Sequence, residues 1–140
     1  MAARALATVS VGETVGPVTV PVTRETLVAY ANASGDQNPI HQDEEFARSV
    51  GLPDVIAHGM WTMGAAGSVV SQWAGDAGRV VEYGTRFTKP VVVPVTGTEL
   101  VVEGTVKGVD VEAGRVTVEL TVSADGAKVL GRCVAVVRLD

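Results

Sequence analysis

Two groups able to exchange protons stand five residues apart in Gly35-Asp36-Gln37-Asn38-Pro39-Ile40-His41. Pro39 fixes its own φ and pushes Asn38 away from helical geometry, so this span is a stiff extended turn. Such a span can set both side chains on one side of the chain. A histidine poised near neutrality and a carboxylate then equip a general acid–base site. The same residues also suit an ordinary Asx turn, with Asp36 bonding nearby amides and His41 packed or exposed. Spacing leaves both readings open. Asp43 adds a carboxylate just beyond, but no second histidine stands nearby in sequence to complete a zinc set, so no metal is expected.

A second constellation is Ile56-Ala57-His58-Gly59-Met60, at the start of an apolar stretch. The first turn of a helix leaves amide N–H groups unpaired, and Gly59 has no Cβ to keep a ligand away from them. A carbonyl oxygen that gains negative charge during a reaction would be stabilised there by the amides and the helix dipole. The plainer alternative has His58 capping or packing the helix start, with Gly59 merely allowing the turn. Ser34, Ser68 and Ser71 carry no local nucleophile signature. Cys133 sits in a valine-rich run and reads as a buried, inert thiol.

The elements that must position these groups differ between the two halves of the chain. Thr23 can cap a helix whose apolar positions Leu27, Tyr30 and Ala31 recur at three and four, ending near Ser34-Gly35. Residues 43–51 read as a short helix with carboxylates in its first turn. Gly59 to Trp73 carries no formal charge, the pattern of a helix buried all round. Gly64 and Gly67 inside it suggest that another backbone passes very close. After Asp76 the period changes to two. Residues 80–88, 99–107, 115–123 and 132–139 read as antiparallel strands, residues 17–22 as an edge strand, and residues 112–114 and 124–127 as hairpin turns. Together they imply an α+β layer structure, a sheet curled around one helix.

At 140 residues the chain has the size of one domain, residues 1–140, and its single cysteine excludes a disulfide framework. The net charge of −5 argues against broad nucleic-acid binding. Residues 1–76 hold eight acidic and three basic side chains, whereas residues 77–140 hold eight of each. An anionic ligand is therefore met more readily by the second half. The start has no sustained apolar core and no stretch is long enough to span a bilayer, so a cytoplasmic protein with no membrane partner is expected.

Tyr30-Ala31-Asn32-Ala33-Ser34-Gly35-Asp36-Gln37-Asn38-Pro39-Ile40-His41, followed after five residues by Ala47, resembles the hydratase-2 signature of the MaoC-like (R)-specific hydratases and dehydratases. Gly51-Leu52-Pro53 with Ile56-Ala57-His58-Gly59-Met60 is similar to the approach to that family's central helix. Glu82-Tyr83-Gly84-Thr85-Arg86-Phe87-Thr88-Lys89-Pro90-Val91 is similar to its following strand. Within the family, the chain most resembles the catalytic subunits of mycobacterial-type (3R)-hydroxyacyl-carrier-protein dehydratases.

The resemblance implies a hot-dog fold and the reversible interconversion of (3R)-hydroxyacyl and trans-2-enoyl thioesters, without cofactor. It makes Asp36 and His41 the catalytic pair, with Gly59, His58 and Asn38 on the substrate. The implied substrate is an acyl-CoA or acyl-carrier-protein thioester, its tail shaped by Trp61, Met63 and their neighbours. The implied partner is a second hot-dog subunit, in a homodimer or a heterodimer. A non-catalytic, tunnel-shaping subunit and a hot-dog thioesterase are the alternatives.

Overall fold

Alternation of valine with Thr, Glu and Arg gives each strand of the second half one apolar face, and those faces need a common partner. In the computed structural model, which describes residues 2–140, the elements run β1 (Thr14–Val22), α1 (Arg24–Ser34), α2 (Glu44–Ser49) and α3 (Gly59–Ala74). They continue with β2 (Val80–Phe87), β3 (Thr98–Asp110), β4 (Arg115–Ala124), the short β5 (Ala127–Lys128) and β6 (Leu130–Arg138). The strands form one antiparallel sheet in the order β1-β3-β4-β6-β2, with β5 added to β4. Register puts Val102 opposite Val122 and Val106 opposite Val118. Val118 in turn faces Ala135. All five are fully buried, as are Ala66, Val70 and Ala74 of α3, which pack in the same core. This is the hot-dog arrangement, a sheet curled around one long helix.

Local chemistry sets the helix ends. Thr23 accepts a hydrogen bond from the Thr26 amide, and the Thr26 hydroxyl accepts from the Thr23 amide, a reciprocal cap at the start of α1. Gly35 stops the helix with φ of 82°, a left-handed geometry that costs glycine little. Asp43 starts α2 by accepting from the Phe46 amide at 3.0 Å. Between them, residues 35–58 cross the mouth of the sheet. Arg24 anchors this segment: its guanidinium reaches Glu44, Asp54 (2.9 Å) and the Val93 carbonyl (3.1 Å).

Two expectations about α3 are corrected. The helix is not buried all round: Thr62, Ala66, Val69, Val70 and Ala74 are buried, but Met60, Gly64, Ser68 and Gln72 form an exposed row. Residues four apart share one helix face, so this is a continuous uncharged stripe beside the free edge of β2. Nor does a backbone pass close to the glycines. A Cβ on Gly67 would lie 2.9 Å from the Tyr83 ring, and a Cβ on Gly64 would meet nothing within 4 Å. Cys133 is buried as expected, and burial raises its thiol pKa. No helix among the described residues is long and apolar enough to cross a membrane.

Candidate active site

The turn after α1 is built by side chains acting on their own backbone. The Asp36 amide donates to Ser34 Oγ at 3.1 Å, the Asn38 amide to Asp36 Oδ1 at 3.1 Å, and the Ile40 amide to Asn38 Oδ1 at 3.1 Å. Residues Pro39–His41 then make one turn of 3-10 helix. These are an ST turn followed by two Asx turns, so the structural alternative read in the sequence is present. It does not compete with the chemical reading. The turn leaves Asp36 exposed and carries His41 inward until only 7 % of it is exposed.

His41 is clasped by the segment that leads to α3. Its Nδ1 lies 2.6 Å from the Ile56 carbonyl oxygen, and the Ile56 amide donates back to the Ile40 carbonyl at 3.2 Å. A carbonyl can only accept, so Nδ1 carries the proton and the neutral ring keeps its lone pair on Nε2. Burial pushes the His41 pKa below its usual 6.5, opposed by the Ile56 hydrogen bond; His58 lowers it further, and Asp36 raises it. The ring is therefore neutral near pH 7 and equipped to accept a proton. On its other side the clasp is fixed to the 91–93 strand-like segment, through Ala57 to the Val91 carbonyl and Val93 to the Val55 carbonyl, both at 2.9 Å.

His58 touches both halves of the pair. It is 2 % exposed, and its ring stacks on His41 with centroids 3.7 Å apart and planes inclined by 23°. Its Nε2 donates to the Asp36 carbonyl at 3.0 Å, and Tyr30 closes its far side at 4.8 Å. This corrects one inference from sequence, which found no second histidine near the first. Asp36, His41 and His58 present ligand-type atoms within 4.8 Å of one another. The rings do not suit a metal, however. Nitrogen lone pairs lie in the ring plane, and those of nearly parallel stacked rings run side by side instead of converging. His41 Nδ1 and His58 Nε2 are, moreover, already bonded to carbonyls.

The cleft above this group has a volume of about 440 Å³ and is lined by Tyr30, Ser34, Asp36, His58, Gly59, Met60 and Phe87. It brings Asp36 to the first turn of α3, where the helix leaves its leading amides unpaired. Asn38 is not brought to the cleft; its side-chain oxygen is used in the turn. Trp61 and Met63 line neither this cleft nor the apolar pocket beside it, and the Met63 carbonyl instead accepts from the Tyr83 hydroxyl at 2.6 Å. Phe87 is a lining residue that sequence reasoning treated only as the end of a strand.

Comparison with known proteins places the chain in a family. The family model described as MaoC like domain matches residues 7–127. Over 83 residues the chain is 41% identical to 3-hydroxyacyl-thioester dehydratase X of Mycobacterium tuberculosis, covering 59% of this chain and 29% of that protein. A solved MaoC-like dehydratase superposes with a TM-score of 0.96 at 38% identity, over 99% of this chain and 43% of its own. The unliganded R-hydratase PhaJ1 from Pseudomonas aeruginosa gives a TM-score of 0.85 at 25% identity, over 99% and 87%. The chain thus spans less than half the length of the first two relatives.

Proposed function

From the premise that the chain belongs to the MaoC-like family, we propose that it catalyses the reversible dehydration of a (3R)-hydroxyacyl thioester to the trans-2-enoyl thioester. The observation that carries this reading is the tautomer of His41. With Nδ1 tied to the Ile56 carbonyl, Nε2 is left as the base, and a ring nitrogen of His41 lies within 4.8 Å of an Asp36 carboxylate oxygen.

In the dehydration direction His41 Nε2 takes the C2 proton. The electron pair left behind spreads onto the thioester oxygen, which lies against the Gly59 amide and the positive end of α3. That pair then forms the C2=C3 bond as the C3–O bond breaks. Asp36 holds the departing oxygen by a hydrogen bond, and the His41 imidazolium returns its proton to it, releasing water. Both side chains finish as they began. Because both lie on one face of the substrate, elimination is syn. The thioester itself acidifies C2, so the chemistry asks for no metal or redox cofactor.

The carrier is CoA or an acyl carrier protein, and the unit that acts is one hot-dog domain over residues 1–140 paired with a second hot-dog subunit. The uncharged row Met60, Gly64, Ser68 and Gln72 and the unpaired edge of β2, with Val81 44% exposed, supply the surface for that pairing. The test is hydration of crotonyl-CoA by the purified protein, followed as loss of enoyl absorbance with free thiol measured in parallel. Hydration without thiol release supports the reading. Thiol release alone makes the protein a thioesterase, and no turnover of any enoyl thioester removes the proposal.

A further inference from the structure

A second pocket adjoins the catalytic cleft, and only two residues belong to both linings. Its volume is about 320 Å³, and it is lined by Ile56, Ala57, Thr62, Pro90, Val91, Val129 and Leu130 among others. The shared residues are Gly59 and Phe87. Phe87 ends β2, opposite Leu130 of β6, and its ring stands beside Gly59. A Cβ on Gly59 would lie 3.0 Å from that ring, closer than most side-chain contacts allow.

The two spaces differ in chemistry. The cleft holds Asp36, Ser34, His58 and Tyr30, whereas the second pocket is mainly aliphatic, with Lys89 its one charged lining residue. On the dehydratase reading, a substrate has a polar arm, its carrier, and an apolar arm, its acyl tail. Transfer from water favours the tail in the aliphatic pocket. To enter from the cleft it must pass Gly59 and Phe87.

We infer that Phe87 sets acyl-chain length: its ring is the wall between the catalytic cleft and an aliphatic pocket that receives the acyl tail. This rests on the dehydratase reading and adds to it a specificity-determining residue that does no chemistry. With the ring on Gly59 the pocket is shut off and short tails are favoured. With the ring removed, the two spaces join.

The test compares kcat/KM for crotonyl, octenoyl and dodecenoyl thioesters among the wild-type protein, Phe87→Ala and Phe87→Trp. Phe87→Leu stands in if Phe87→Ala does not give a cooperative melt. The octenoyl-to-crotonyl ratio rises by about 10-fold or more in Phe87→Ala, a size typical of one altered hydrophobic pocket contact, and falls in Phe87→Trp. Unchanged ratios in the variants, with crotonyl turnover intact, overturn the role of Phe87 and leave the dehydratase reading standing. Absence of turnover with all three thioesters in the wild-type protein removes both.

Discussion

The sheet and the segment that crosses its mouth are held by different kinds of bond. Strands β3, β4 and β6 are joined by long ladders, and their inward faces interlock with α3. Residues 35–58 have only the short pairing of residues 55–57 with 91–93. They rest on Asx turns, a clasp between Ile56 and residues 40–41, the His58 hydrogen bond and stack, and the Arg24 anchor. Loss of one contact in the sheet is shared among many others, while loss of one in the segment moves a functional group. Stability and chemistry are therefore separated along the chain, and substitutions should divide the same way.

The largest expected effect is on rate. Asp36→Asn and His41→Ala should each lower kcat/KM for enoyl-thioester hydration by roughly 10²–10⁴-fold. Asp36→Asn, at an exposed position, should melt close to the parent in calorimetry, whereas His41→Ala, which takes a buried ring from the Ile56 carbonyl, should melt lower. Either variant retaining full kcat/KM would break the division and the assignment together.

The converse belongs to the sheet. Leu100 of β3 is fully buried, and Leu100→Ala should cost about 2–5 kcal/mol in urea unfolding. The kcat/KM of the protein that remains folded should be near normal. A large loss of specific activity in that variant would show that the sheet and the crossing segment are coupled after all.

A smaller change sharpens the boundary between the regions. Thr23→Ala removes the side-chain half of the reciprocal cap on α1 and should destabilise by about 1 kcal/mol, with little change in rate. The smallest effect is in pH dependence. His41 acts as a base when neutral, and burial lowers its pKa, so kcat/KM should fall on the acid side with a midpoint below 6.5. The same shift makes the folded state bind the proton less readily than the unfolded chain, so acidification through 6.5 should also weaken folding. A rate midpoint above 6.5 would contradict the burial of the ring.

Much of the sheet was legible because its cause is local. Alternation in Arg115–Ala124 and its neighbours, the Thr23 cap and the Gly35 stop each lie within a few residues of what they determine. The turn that carries Asp36 and His41 was legible for the same reason, since Pro39 stiffens it. His58 was not visible as a neighbour of His41, because their stack exists only after the chain between them has closed over the mouth of the sheet. Phe87 was missed likewise: strand alternation says which face a residue takes, not which two spaces it divides. The exposed row on α3 was misread because Met60, Gly64, Ser68 and Gln72 carry no charge, and a lack of charge looks the same on a buried face and on a surface awaiting a partner.

The clasp on His41 is made of main-chain atoms, the Ile56 carbonyl and amide, and His58 likewise reaches Asp36 through its carbonyl. The side chains of Ile56 and Ala57, by contrast, line the aliphatic pocket. Evolution can therefore exchange those two residues and reshape the pocket while the oxygen that orients His41 stays where it is. On the proposed function, tail preference is then free to drift among descendants of this chain with the proton chemistry inherited intact.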